Sequence, residues 1–61
     1  MSTQPRWSYL TVEVKPGLMG GFKTDVLQHE LTKHGSLGWE LVQMIVSSPL
    51  APAVLVFKRP Q

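Results

Sequence analysis

Gly35-Ser36-Leu37-Gly38-Trp39-Glu40-Leu41-Val42 is where this chain changes its habit. Before it, apolar residues recur at helical spacing. After it, strand-forming residues run together. Gly35 stands where a helix C-terminus wants a left-handed residue, and Gly38 offers a second sharp bend. Trp39-Glu40-Leu41-Val42 then opens a strand. The stretch decides the architecture and carries no chemistry of its own.

Working back from it, Leu27, Leu31 and His34 fall at i, i+4 and i+7 and share one helical face. Phe22 and Val26 flank that stripe, and Gln28, Glu30 and Lys33 supply the polar side. Thr24 or Asp25 is expected to cap the helix. An Asp25 cap has Gln28 three residues on, which is capping-box spacing. In either case Asp25 sits at the positive end of the helix dipole. The helix should run to about His34. Upstream, Trp7 to Val14 reads as a strand, ended by Lys15-Pro16-Gly17 and a glycine-rich connection to Gly21. Residues 1–5 read as a flexible tail, and 6–61 as a single small domain.

Working forward, a second strand runs from Trp39 to about Ser47. A two-proline loop, Ser48 to Ala53, follows it. Val54 to Arg59 is the third strand, and Pro60 stops it. The order β-α-β-β implies an α+β fold, one helix packed on a three-stranded mixed sheet. A crossover makes the first two strands parallel, and the third runs back antiparallel. The third lies either between the first two or on an outer edge; it has the densest apolar run, which favours the central place.

The chain has 61 residues and no cysteine. So short a domain is marginally stable unless a disulfide, a metal or self-association helps it. Disulfides and thiolate metal sites are excluded, and the absence of cysteine fits the cytoplasm. No apolar run approaches membrane-spanning length, and the first residues lack the apolar core of a signal peptide. Ser2 in place of glycine excludes myristoylation. A net charge of +2 permits an anionic partner without demanding one.

Alternation along the strands raises a problem. Leu10, Val12 and Val14 share one face of the first strand; Trp7, Tyr9 and Thr11 share the other. The second strand divides Trp39, Leu41 and Ile45 from Val42, Met44 and Val46. The third divides Val54 and Val56 from Leu55 and Phe57. Both faces are apolar, and one helix covers only one. The remainder would be a patch of several hundred Å², more than a soluble monomer usually exposes. Covering it at about 25 cal/mol per Å² is worth several kcal/mol. Self-association, as a homodimer or higher, is the simplest remedy.

Trp7-x-Tyr9, then Leu31-x-x-x-Gly35-x-x-Gly38-Trp39-Glu40-Leu41-Val42, then Phe57-Lys58-Arg59-Pro60 resemble a family of very small bacterial proteins catalogued as a domain of unknown function. The resemblance spans Trp7 to Pro60. It implies a small α+β fold and a stand-alone bacterial polypeptide. It implies no activity and carries over no catalytic residue. His34 stands where similar members have leucine, and Leu10 where many have a polar residue.

Several motifs imitate chemistry. His29-Glu30-x-x-x-His34 is one residue too long for a zinc-protease helix. At i, i+5 the two rings point about 140° apart. His34 reads instead as the end of the apolar stripe. Gly17 to Thr24 imitates a phosphate-binding loop, but Phe22 stands where glycine must precede Lys-Thr. It reads as a glycine turn with Phe22 in the core. Glu40 lacks a nearby carboxylate or base and is expected to pair with Lys58 or Arg59, or to cap the preceding turn.

The reading is a non-enzymatic, cytoplasmic homo-oligomer that needs no cofactor or metal and touches no membrane. Its interface anchors are expected to be Trp7, Tyr9, Trp39 and Phe57. An unidentified protein partner is allowed by the same surface. The alternative is nucleic-acid or anion binding through Arg6, Lys15, Lys58 and Arg59, with Lys23 adding an anion contact at the helix start. Scattered cations argue against nucleic acid as the main partner.

Overall fold

In the computed structural model, which describes residues 6–61, strand β1 spans Trp7–Val14, helix α1 Thr24–Gly35, strand β2 Glu40–Ile45 and strand β3 Ala53–Pro60. The tail expected over 1–5 lies outside the described residues. β3 lies between β1 and β2 and runs antiparallel to both. This is an α+β fold in the order β-α-β-β. The outer strands point the same way, as the crossover requires, but they never touch, so every ladder is antiparallel and the expected mixed sheet is corrected to an antiparallel one. The central place goes to the strand with the densest apolar run. Ala53, Leu55 and Phe57 are buried, and Val54 and Val56 are half-buried between them.

Residues opposed across a ladder point to the same face. Leu10 and Leu41 flank Phe57, Val12 and Met44 flank Leu55, and Val14 lies beside Ala53. Leu27 and Leu31 of α1 close over this face, with Phe22 and Trp39 at its two ends. Phe57 and Leu55 are the largest side chains wholly removed from water. Each such burial contributes roughly 1.5–3 kcal/mol.

Strict alternation fails in β2. Leu41 opposes Phe57, but Gln43, not Val42, opposes Val56. Two residues of β2 face one of β3, a β-bulge. Everything after it changes face. Met44 joins Leu41 on the helix side, and Ile45 turns to the open side against Val54. The expected division of this strand therefore holds for Trp39 and Leu41 and is corrected after them, with Met44 and Ile45 exchanging faces. Val42, the extra residue, is exposed.

Both ends of α1 also differ from expectation. Lys23, not Thr24 or Asp25, holds the cap position, and no side chain caps the helix. Asp25 lies inside the first turn and accepts the Val26 N–H at 3.0 Å. Gln28 donates to Thr32 Oγ1 rather than reaching back, so no capping box forms. At the other end Gly35 belongs to the helix. Gly38, at φ +90°, supplies the left-handed residue. Trp39 N–H donates to the His34 carbonyl and Gly38 N–H to the Gly35 carbonyl, both at 3.0 Å. That bond pair is a Schellman motif, which satisfies the helix's last carbonyls.

Pro60 fits a strand end because of ladder phase. Gln61 N–H donates to the Arg6 carbonyl at 3.0 Å. Bonded and non-bonded pairs alternate, so Trp7 and Pro60 form a non-bonded pair. The missing proline N–H is not needed by β1, and β2 begins opposite Lys58, before Pro60 is reached.

Candidate functional site

The side of the sheet away from α1 has no covering layer among the described residues. β1 contributes Trp7, Tyr9, Thr11 and Glu13, β3 contributes Val54, Val56 and Lys58, and β2 contributes Glu40, Gln43 and Ile45. Tyr9 is 66% exposed and Trp7 38%. Ile45 is exposed at the other end of the face. Thr11, Glu13 and Gln43 break the apolar surface, so it is more mixed than alternation alone implies.

Lys58 organises one end of this face. Its ammonium lies 4.6 Å from the Trp7 ring centroid and 3.6 Å from Glu40 Oε2. It therefore links β1 to β2 across the central strand. The expected pairing of Glu40 with a β3 cation is realised with Lys58. Because Glu40 is 72% exposed, the charge contact is worth well under about 1 kcal/mol.

The four expected anchors divide between the two faces. Trp7 and Tyr9 lie on the open side. Trp39 and Phe57 lie on the helix side, where Trp39 packs on the core and Phe57 is 1% exposed. Phe57 is corrected to a core residue: its β3 neighbours and the helix consume its whole surface. The five expected cations do not converge either. Arg6, Lys58 and Arg59 sit at the end where β1 begins, and Lys15 and Lys23 at the end where it stops. An eight-residue strand separates them, about 24 Å. Lys58 is paired as described, and Arg59 donates to the Leu37 carbonyl at 2.6 Å.

His34 sits between helix and sheet, its ring 5.1 Å from that of Phe57. Its Nε2 lies 3.2 Å from Glu30 Oε2. Its Nδ1 is buried without a hydrogen-bond partner. The ring thus closes the apolar stripe, while His29 is exposed on the outer side of the helix. Among the described residues no group of His, Asp and Glu is placed to share a metal ion. Among those residues no helix is long and apolar enough to cross a membrane.

The glycine loop turns its amides inward. Gly20 N–H bonds the Gly17 carbonyl, Gly17 N–H the Gly21 carbonyl, and Gly21 N–H the Pro49 carbonyl at 2.8 Å. Amides so used cannot cradle phosphate. Phe22 packs against the core, as the turn reading requires. The loop tip leaves Leu18 and Met19 wholly exposed, with Leu50 of the docked neighbouring loop beside it. Sequence reasoning passed over these side chains. Two large apolar residues between glycines were the available signal.

Helix on one face, aromatic and aliphatic side chains on the other: the fold defines a small two-layer α+β domain whose second sheet face is uncovered among the described residues. The chain belongs to the family described as Domain of unknown function (DUF4177), whose model matches residues 7–60. Neither a curated protein nor a solved structure matches it.

Proposed function

We propose that this domain is a non-enzymatic module of the bacterial cytoplasm that acts by binding copies of itself, and protein partners through the assembly so formed. The uncovered sheet face supports this reading most. Tyr9, Trp7 and Ile45 stand exposed on it around half-buried Val54 and Val56. Aromatic residues of this kind are enriched at protein interfaces. Two of the chain's four carboxylates also have structural employment: Glu40 holds Lys58, and Glu30 holds His34. A cysteine-free composition fits the reducing compartment.

Native mass spectrometry over a range of concentrations tests the reading. Wild-type protein should appear as two or more chains, and Tyr9→Asp should shift the distribution toward single chains. A stably folded wild-type particle of 6.8 kDa at every concentration overturns it.

A further inference from the structure

The two outer strands have very different free edges. β2 is six residues long and broken by its bulge. Bulges and shortness are the usual protections against pairing with another chain. β1 is eight residues long, without a bulge, proline or lysine, and Glu13 is its only charge. Its phase is known from the Gln61–Arg6 bond. Ser8, Leu10, Val12 and Val14 exchange hydrogen bonds with β3, so the N–H and C=O groups of Trp7, Tyr9, Thr11 and Glu13 point out of the sheet. Among the described residues no backbone group of a loop or helix takes them up. The one side chain that approaches is Gln61, whose amide lies 3.5 Å from the Trp7 carbonyl, the outer limit of a hydrogen bond.

We infer that β1 pairs antiparallel with β1 of a second copy, joining two sheets edge to edge with Leu10 on the twofold axis. This rests on the self-association reading and adds to its open-face contact a second one, at the strand edge. A twofold axis perpendicular to the sheet keeps helix face with helix face, so odd residues must meet odd residues and even must meet even. Centring the axis on Leu10 sets Trp7 against the partner's Glu13 and Tyr9 against the partner's Thr11. Every outward group of Trp7, Tyr9, Thr11 and Glu13 then has a partner. Moving the axis to Tyr9 or Thr11 leaves outward groups at one end beyond the opposing strand.

The side chains agree with this register. The two Glu13 carboxylates are kept apart, each beside a Trp7 ring on the face that carries Lys58. On the helix face the two Leu10 side chains, half-buried against their own cores, meet at the axis. The two small cores become continuous there. A second copy is the occupant that the edge fits, because the strand's own sequence supplies the complement. The edge contact and the open face are separate surfaces, so both can be occupied in one assembly.

Leu10→Cys, Tyr9→Cys and Thr11→Cys, each in this cysteine-free chain, test the register. Opposed residues of a non-bonded pair lie about 4.5 Å apart at Cα, within disulfide reach. Under mild oxidation Leu10→Cys should cross-link at least tenfold faster than the other two. Thr11→Pro removes an outward N–H and leaves the β1–β3 ladder intact; it should weaken self-association at least tenfold with unchanged circular dichroism. A wild-type protein that is always a single chain overturns both this inference and the self-association reading. A wild-type oligomer in which Leu10→Cys cross-links no faster than its neighbours overturns the edge pairing alone. Should Thr11→Pro fail to fold, the cysteine series decides by itself.

Discussion

The Arg59 guanidinium lies 4.2 Å from the centroid of the Trp39 ring and donates to the Leu37 carbonyl just before it. With the Glu40–Lys58 pair beside it, this contact brings Gly38-Trp39-Glu40 against Lys58-Arg59. Two short segments nearly twenty residues apart are thus one structural unit. It fastens the end of the helix turn to the end of the central strand and shuts the core at that end.

Arg59→Ala should destabilise the domain by about 1–2 kcal/mol, through loss of the stack and of a charge-assisted hydrogen bond. Arg59→Lys should recover only part of this, because an ammonium has no planar fork to stack and bond at once. Urea denaturation followed by Trp fluorescence measures both, and equal stability of the two variants would refute the stacking account.

The two glycines of the turn should respond with opposite sign. Gly38 sits at φ +90°, so Gly38→Ala should cost about 1–2 kcal/mol from backbone strain alone. A Cβ there would meet only ordinary contact, with Arg59 Cδ at 4.0 Å. Gly35 lies in the helix, and a Cβ on it meets nothing within 4 Å. Gly35→Ala should stabilise by about 0.5 kcal/mol. Thermal unfolding of both variants distinguishes them.

His34→Leu should raise stability by about 1 kcal/mol. The substitution removes a buried Nδ1 that has no partner and keeps an apolar side chain against Phe57. The lost contact to Glu30, an i, i+4 pair on the helix, is worth only a few tenths of a kcal/mol. A lower melting temperature for His34→Leu would show that the ring's nitrogens contribute more than its shape.

A double-mutant cycle on Glu40→Gln and Lys58→Met should give a coupling of about 0.5 kcal/mol that falls with added salt. The salt-independent part of the Lys58→Met effect reports the contact with Trp7. Coupling that does not change with salt would mean the pair is less exposed than the open face allows.

Much of this was legible along the chain. Aromatic and β-branched residues located β1, a dense apolar run located β3, and the helical spacing of Leu27, Leu31 and His34 located α1 and its buried face. The apolar density of β3 anticipated its central place. What misled was local. Gly35 and Gly38 offer the same conformational freedom, and only the route of the chain into β2 selects which of them turns left-handed. The polar Gln43 after Leu41 and Val42 was the one local sign of the bulge, and a single polar residue does not fix where a ladder slips. Phe57 was legible as apolar and aromatic, but not as buried, because burial depends on what lies across from it.

Sequence by itself determined the elements, their order, the apolar face of the helix and the lack of any covalent or thiolate staple. These are properties of neighbouring residues, and the chain carries them whether or not it is folded. Tertiary structure decided which aromatics stay outside, which cations find partners, and which strands lie at the sheet's edges. Those outcomes depend on register and on ladder phase, which exist only once β3 has settled between β1 and β2.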